Sequence, residues 1–552
     1  MKYTLTLKVN PNDEERLNSI LYKRLRVKEG DLKDITIVKK SIDARKKPEI
    51  VYQFTVHFAP KDDYIDKKLK HFKLQTVNNT VSYKWPESKN QELKNRPVIV
   101  GFGPAGMFAA LYLAKAGMKP LILERGSKME ERIAAVNAFH RGGALNGNTN
   151  VQFGEGGAGT FSDGKLNTGV KDKAGRNEAV LRTFVEFGAD SDIIYDGRAH
   201  MGTDVIRKVV VNIRKEIERL GGSFKFNARF TKPEIRDGRV TGVYFKEQNA
   251  DAEEFMPTDT IILAIGHSSR DTYEMLHKSH FSMEAKSFAV GFRVLHDAEF
   301  INESQYGEGY RKNYRNLPTA YYKLARTTSF DRNVYSFCMC PGGVVVNASS
   351  EEGRLCINGM SNKAREGKYS NAAIVMNVGP KDFEEYGFSG VLAGMEYQRM
   401  LEEKAYLLGN GAIPVQFYQS FKEGKTDELK DERFVSMVKE GLHGNAALAD
   451  LKTLFSENMN EAFIEGMEYF NTCIKGYTDS NPLLAGVEGR TSAPIRILRD
   501  ETYQSPEVRG LYPCGEGAGY AGGIMSAAMD GLKVAEKVLS THLLNGHIMN
   551  IL

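Results

Sequence analysis

The chain has 552 residues, of which 41% are apolar and 26% charged, with 53 glycines and 17 prolines. That leaves room for two or three domains with a substantial core, and five cysteines in so long a chain exclude a disulfide scaffold. No apolar run approaches a membrane span, and the start "MKYTLTLKVNPNDEE" lacks the apolar core of a signal peptide, so a cytoplasmic protein with no membrane partner is expected.

Charge is distributed unevenly. Residues 1–96 carry 22 Lys and Arg against 13 Asp and Glu, a formal +9, while the remainder carries 53 against 57, a formal −4. A basic extension is compatible with nucleic acid or an acidic partner. No aromatic-basic RNA motif accompanies it, so a solvated surface, or docking onto the acidic body, is the preferred expectation. The RNA-binding or RNA-modifying alternative is a flavoprotein gripping RNA through this extension.

In chain order, "KYTLTLKV" alternates as a strand and "DEERLNSILYKRLRV" has helical spacing with acids in its first turn. "ITIVKKSI" and "EIVYQFTVHF" read as further strands, so residues 1–90 are expected to form a small basic α+β domain of ferredoxin-like type. "WPESKNQELKNRP" reads as a polar linker.

"PVIVGFGPAGMFAALYLAKAGMKPLILERG", residues 97–126, then reads as strand, glycine turn, helix and strand. Gly101, Gly103 and Gly106 form G-x-G-x-x-G. The first glycine permits the tight turn, the second a close approach to a pyrophosphate, and the third helix–strand packing. Pro104 and Ala105 open the helix, whose N–H groups and dipole favour phosphate. Glu124 ends the second strand, where a carboxylate accepts from ribose hydroxyls. Further along, "GTDVIRKVVVNIRKEIERLGG" is a strong helix that Asp204 is expected to cap. "SFKFNARF", "RVTGVYF" and "DTIILAIG" follow as strands, with Asp237–Gly238 as a hairpin turn. Residues 285–490 read as an inserted α+β substrate or cap domain, with strands near "SFAVGFRVL" and "NVYSFCM" and helices near 392–407 and 459–470. The flanking 97–284 and 491–552 are expected to form one nucleotide-binding Rossmann domain.

The choice of nucleotide rests on distant elements. "DTIILAIG" brings Ala264 and Gly266 back to the nucleotide, and "GLYPCGEGAGYAGGIMSAAMDG" places Gly515–Glu516 at a strand end and Gly522–Gly523 at a helix start. An acid there can accept from a ribityl hydroxyl, and the helix start can face the flavin N1/O2 edge. With the glycine turn, these pieces resemble the glutathione-reductase-like FAD superfamily. With one complete G-x-G-x-x-G, a second, built-in NAD(P) domain is not expected. "FGEGGAGTFSDGKLNTG" resembles the loop beside the isoalloxazine in that superfamily, which implies roles for Thr160, Ser162, Lys165 and Asn167. "HMGTDVIRKVVVNIRKEI", "FAVGFRVLH", "FCMCPGGVVVNASSEEGRLCINGMS" and "GRTSAPIRILR" resemble a family of bacterial FAD-dependent dehydrogenases, NAD(P)/FAD-dependent oxidoreductases, with an extra N-terminal domain.

The resemblance implies an FAD-dependent oxidoreductase that exchanges hydride between flavin N5 and an organic small-molecule substrate, with NAD(P)H as a transient donor. The candidate cofactor-binding residues also include Arg125, Arg229 and Ile524; no catalytic residue and no metal site is assigned. In "CMCPGG", thiolates of Cys338 and Cys340 beside a flavin could form a redox pair. The spacing is narrower than in flavin disulfide reductases, the two side chains are expected on opposite strand faces, and with Cys356 the set is short of four zinc ligands, so buried packing is preferred. Packing is also preferred for Cys514, helix capping for His200 and Thr203, and a structural place for His267. Arg293, Arg365, Arg490 and Arg496 could form an anion pocket, but separate surface pairs are expected.

Overall fold

The computed structural model describes residues 1–77, 81–88, 95–425 and 432–549, without the side chains of 544–549. A five-stranded parallel sheet gathers strands from both sides of residues 288–488. Its order is Leu511–Pro513, Ile261–Leu263, Val98–Val100, Leu121–Leu123, Ser223–Lys225. The strands are three residues each and wholly apolar apart from the last, as expected where both faces are covered: one by helices, the other largely by the antiparallel strands Ala228–Arg236 and Arg239–Glu247. One face packs on the helices Pro104–Lys115, Gly202–Arg219 and Ile524–Met549, joined by Phe108, Val209, Ile213 and Leu532.

Two glycines make this packing possible. Gly101 has φ 96°, and a Cβ there would sit 2.4 Å from the Ala264 carbonyl oxygen. At Gly106 a Cβ would sit 2.0 Å from the Gly101 carbonyl oxygen, so the helix can lie against the turn only without a side chain.

"SFKFNARF" is not one strand. It divides at Asn227 (φ 55°) into the parallel strand Ser223–Lys225 and the antiparallel strand Ala228–Arg236. The latter joins Arg239–Glu247 through Asp237 and Gly238, both at positive φ as a tight hairpin requires.

Residues between 288 and 488 build a seven-stranded sheet around Phe288–Asp297 and Tyr369–Val378. Phe292 is buried there between Phe421, Phe455 and Phe463, with ring centroids 5.1–5.5 Å away. The N-terminal sheet has the order Leu32–Lys46, Glu49–Pro60, Tyr3–Val9, Gln75–Thr76, with helices Leu17–Leu25 and Asp63–Leu69 in the connections. The acids Asp13 and Glu14 lie in a separate 3₁₀ turn, Pro11–Arg16, that precedes the first helix.

This sheet is tied to the rest of the chain. Lys40 exchanges backbone hydrogen bonds with Tyr195 and Gly197, and the Ile50 amide donates to the Tyr314 hydroxyl at 2.9 Å. Part of the linker lies outside the described residues, at 89–94. The part that is described is not merely polar: Trp85 packs on Tyr112, and the Tyr83 hydroxyl donates to Glu536. No helix among the described residues is long and apolar enough to cross a membrane.

A Cβ at Gly531 would sit 2.1 Å from the Ala105 carbonyl oxygen, where the C-terminal helix crosses the glycine-turn helix. Gly531→Ala should therefore destabilise this region by about 1–3 kcal/mol. Urea unfolding followed by the fluorescence of the single tryptophan, Trp85, should show an earlier midpoint; an unchanged midpoint would refute the close crossing.

Candidate functional site

The site is a cleft of about 740 Å³ between the parallel sheet and the seven-stranded sheet. The glycine turn forms one wall through Gly101, Gly103, Pro104 and Ala105, beside Glu124 and Arg125. The Glu124 carboxylate accepts from the amides of Phe102, Gly126 and Gly154 at 2.9–3.0 Å. It therefore organises three backbone turns and keeps one acceptor position of the four a carboxylate offers.

The loop 153–169 is shaped by a residue that sequence reasoning did not single out. Arg132, fully buried on helix Met129–His140, donates to the carbonyls of Asn150, Val151, Glu155 and Gly157 and to the Thr160 hydroxyl, at 2.6–3.0 Å. Burial lowers its pKa to about 9, partly offset by Glu124 and Glu155, so it remains a cation. Nothing local in "MEERIAAVNAFH" marks an arginine as a loop anchor. So held, the loop presents Ser162, Lys165 and Asn167 to the cleft.

Lys165 pairs with Asp163 at 3.1 Å and donates to the Met339 carbonyl. Asp163 in turn binds Arg365, with Nε at 2.9 Å. Burial pushes the Asp163 carboxyl up, but Lys165 and Arg365 outweigh it and hold it well below the usual carboxylate range.

Four expected cofactor contacts lie outside the cleft lining. Gly106 is turned to the sheet, and Thr160 points back to the Gly157 carbonyl. Gly515 packs on Ala105 and donates its amide to Asp530, while Arg229 binds Asp271 at 3.2 Å. Arg125 lines the cleft but is also paired to Asp271, at 2.8 Å, and stacks on Phe153.

Ala264, Gly266, Glu516, Gly522, Gly523 and Ile524 all reach the cleft. The Glu516 carbonyl accepts from the Gly519 amide, but its carboxylate has no hydrogen-bond partner among the described residues. Burial raises its pKa to about 7, against the pull of Lys286 and with a further push from Cys338.

The part of the chain between 288 and 491 closes the cleft with Phe337, Cys338, Asn358, Glu488, Arg490 and Thr491. Here the arginine expectation fails for three of four. Arg293, Arg365 and Arg490 are buried, each with its own acid: Glu488, Asp163 and Glu402. Only Arg496 pairs at the surface, with Glu284. Each buried guanidinium is thus already neutralised, and the four do not converge on an anion. His267 also lines the cleft; burial, with Arg270 and Arg490, brings it down to about 3, so it is neutral at pH 7.

Capping fails too. Helix Gly202–Arg219 starts without a side-chain cap, since Thr203 donates to the Thr160 carbonyl and Asp204 accepts from the Lys363 amide. The expectation that Cys338 and Cys340 point to opposite strand faces fails, because the strand bulges between Phe337 and Cys340, whereas Cys340, Cys356 and Cys514 are buried as expected. The Cys340 thiol donates to the Cys338 carbonyl oxygen at 3.4 Å.

Two predictions follow from this geometry. Removing one partner of the buried Arg293–Glu488 pair strands the other charge. Arg293→Met should cost about 3–5 kcal/mol in urea unfolding, and the double variant Arg293→Met/Glu488→Met should lose less; an equal or greater loss would contradict the assignment. Glu516 holds its proton more tightly folded than unfolded, so the folded state loses stability as pH rises from 4.5 towards 7. Glu516→Gln should match the wild type below pH 4.5 and exceed it above 7 in thermal unfolding, whereas parallel curves would exclude the raised pKa.

Comparison with known proteins places this geometry in a family. Residues 287–491 match the family described as "FAD-dependent protein, C-terminal domain-like", and residues 1–59 a domain of unknown function (DUF8436). A protein of Clostridium beijerinckii titled "Uncharacterized protein" is 44% identical over 534 residues, covering 96% of each chain. Among solved structures, glycine oxidase from Bacillus cereus is 12% identical, over 82% of this chain and 98% of that one, with a TM-score of 0.32. The glycerol-3-phosphate dehydrogenase from Bacillus halodurans, complexed with FAD, is 12% identical over 83% and 66%, with a TM-score of 0.34. Scores so low carry no argument about this chain, whereas the near full-length match does: the chain belongs, with the clostridial protein, to the family of FAD-dependent proteins that carry this C-terminal domain.

Proposed function

We propose that the protein is an FAD-dependent oxidoreductase of the glutathione-reductase-like kind, acting on a small organic substrate with NAD(P)H as a transient donor. The observation that carries this reading is the convergence on one cleft of three chain-distant segments: the turn 101–105 with Glu124, the loop 157–169, and the turn 516–524. A cleft of about 740 Å³ suits a ligand of dinucleotide size.

The residues present fit FAD. Helix Pro104–Lys115 presents its N-terminus to a pyrophosphate, and Gly103 leaves that approach open, since a Cβ there would meet nothing nearer than 3.8 Å. Glu124 would accept a ribose hydroxyl at its remaining acceptor position, and the Glu516 carboxylate, with no hydrogen-bond partner among the described residues, a ribityl hydroxyl. Gly522, Gly523 and Ile524 would hold the N1/O2 edge of the ring, with Lys165 as a nearby cation. Bound FAD supplies a hydride acceptor and donor at N5.

The chain's own work is then to orient and to exclude water. Phe337 and Thr491 close the cleft from the inserted sheet. Lys286, whose pKa burial lowers, sits across from Glu516 as a source or sink of protons.

Titration of the purified protein with FAD should quench flavin fluorescence to an equimolar end point. Glu516→Ala should weaken binding about 10- to 100-fold, the worth of one charge-assisted hydrogen bond. A folded protein that takes up no FAD would refute the proposal.

A further inference from the structure

Cys338, half-buried, and Cys340, buried, are unlike the buried thiols Cys356 and Cys514. They end the strand Asn333–Cys340 in a bulge: Phe337 pairs with Ala373 but Cys340 with Asn371, so the strand carries one extra residue. Cys338 sits in that bulge at φ 43°, uncommon for a residue with a side chain.

The bulge gives the two sulfurs different surroundings. Cys338 lines the cleft, while Cys340 is fully buried behind it. Cys340 Sγ donates to the Cys338 carbonyl oxygen at 3.4 Å, and the two thiols act on each other electrostatically.

Two cations are built against the pair. Arg293 Nη1 lies 3.8 Å from Cys340 Sγ and 2.9 Å from the Cys338 carbonyl oxygen. Gly359 makes room for this contact, because a Cβ there would fall 2.3 Å from Nη1 and 2.8 Å from the sulfur. Lys165 reaches the same strand end through the Met339 carbonyl, and its charge acts on both sulfurs. The Cys340 contact, Lys165 and Arg293 together hold the Cys338 thiol well below the usual range despite its burial. Burial instead pushes the Cys356 thiol up to about 12 and the Cys514 thiol well above the ordinary value. Cys338 also lies close enough to Glu516 to raise that carboxyl's pKa, which puts the pair at the end of the cleft assigned to the flavin ring.

We propose that Cys338 and Cys340 form a dithiol–disulfide pair that carries two electrons between the flavin and a small organic disulfide. The return step rests on the FAD reading above; closure of the pair does not.

In the forward step the Cys338 thiolate attacks one sulfur of the substrate disulfide. A mixed disulfide forms and the first thiolate leaves, taking a proton from solvent or the Lys165 ammonium. The Cys340 thiol then gives up its proton, and its sulfur attacks Cys338 Sγ, expelling the second thiolate. The substrate disulfide is reduced to two thiols, and the pair is oxidised to Cys338–Cys340. Two electrons and two protons, delivered from reduced flavin and solvent, restore the dithiol, and NAD(P)H restores the reduced flavin.

The experiment uses the full chain, first without FAD. The protein is equilibrated with oxidised glutathione, denatured in acid, alkylated with N-ethylmaleimide and digested for mass analysis. The peptide carrying residues 338 and 340 should be free of label and two hydrogen atoms lighter than the dithiol, while Cys356 and Cys514 are labelled. Label on both Cys338 and Cys340, or glutathione retained on Cys338 in the wild type, would overturn the proposal.

Cys340→Ser should accumulate glutathione on Cys338, at least tenfold more than Cys338→Ser carries at Cys340. Equal adduct in the two variants would also overturn it. Anaerobic photoreduction of the FAD-loaded protein is the second arm. The oxidised wild type should take up twice as many electrons per flavin as Cys338→Ser; equal uptake defeats electron exchange with the flavin. A protein that binds no FAD but still closes the disulfide refutes the cofactor reading and, with it, the return step, while leaving the pair.

Discussion

A single buried cation governs the shape of the cleft. Arg132 has no carboxylate in hydrogen-bonding contact among the described residues; five carbonyls and a hydroxyl satisfy it instead. A guanidinium has five donors in a rigid fork, so carbonyls that converge on it must adopt one arrangement. That arrangement is the loop 150–160, whose Gly157 then lies against Gly103 of the glycine turn. Leaving a buried charge unsatisfied is costly, so the loop cannot readily relax away from the cleft.

From that loop the constraint passes to the inserted sheet. Asp163 is one step beyond the anchored segment and binds Lys165 on its own loop and Arg365 on the inserted part. Lys165 continues to the Met339 carbonyl, and Arg293, paired with Glu488, holds the Cys338 carbonyl from the other side. The cleft is thus bounded by a chain of buried charges, each compensated by a specific partner. Such pairs add little net stability over apolar packing, but breaking one is expensive. They position groups rather than provide the main stabilisation, which comes from the apolar clusters around Phe108 and Phe292.

The glycine turn, the helix Gly202–Arg219 and the strands of the inserted part were legible because each depends on local spacing: glycines at 101, 103 and 106, or apolar residues at helical intervals. Glu124 and Glu516 were legible for the same reason, as acids at strand ends beside glycines. Local spacing failed where a partner far along the chain decides. Thr160 is turned away by Arg132, and Asp204 is taken by the Lys363 amide instead of capping its helix. Arg293, Arg365 and Arg490 are surface residues by base frequency but core residues here, because each meets an acid from a distant segment. Lys286, Asn358 and Glu488 carry no motif at all, and only the tertiary arrangement of three separate segments brings them to the cleft.

By itself the sequence determined the glycine turn with its helix and the uneven charge, since glycine conformational freedom, composition and hydrophobic period are local properties. It also determined that two thiols stand two residues apart. Whether they meet, and what faces them, was decided by the tertiary structure alone: the bulge, Arg293, Lys165 and the cleft come from four separate segments. A side chain's protonation and exposure depend on which charges surround it after folding, and no spacing along the chain records that.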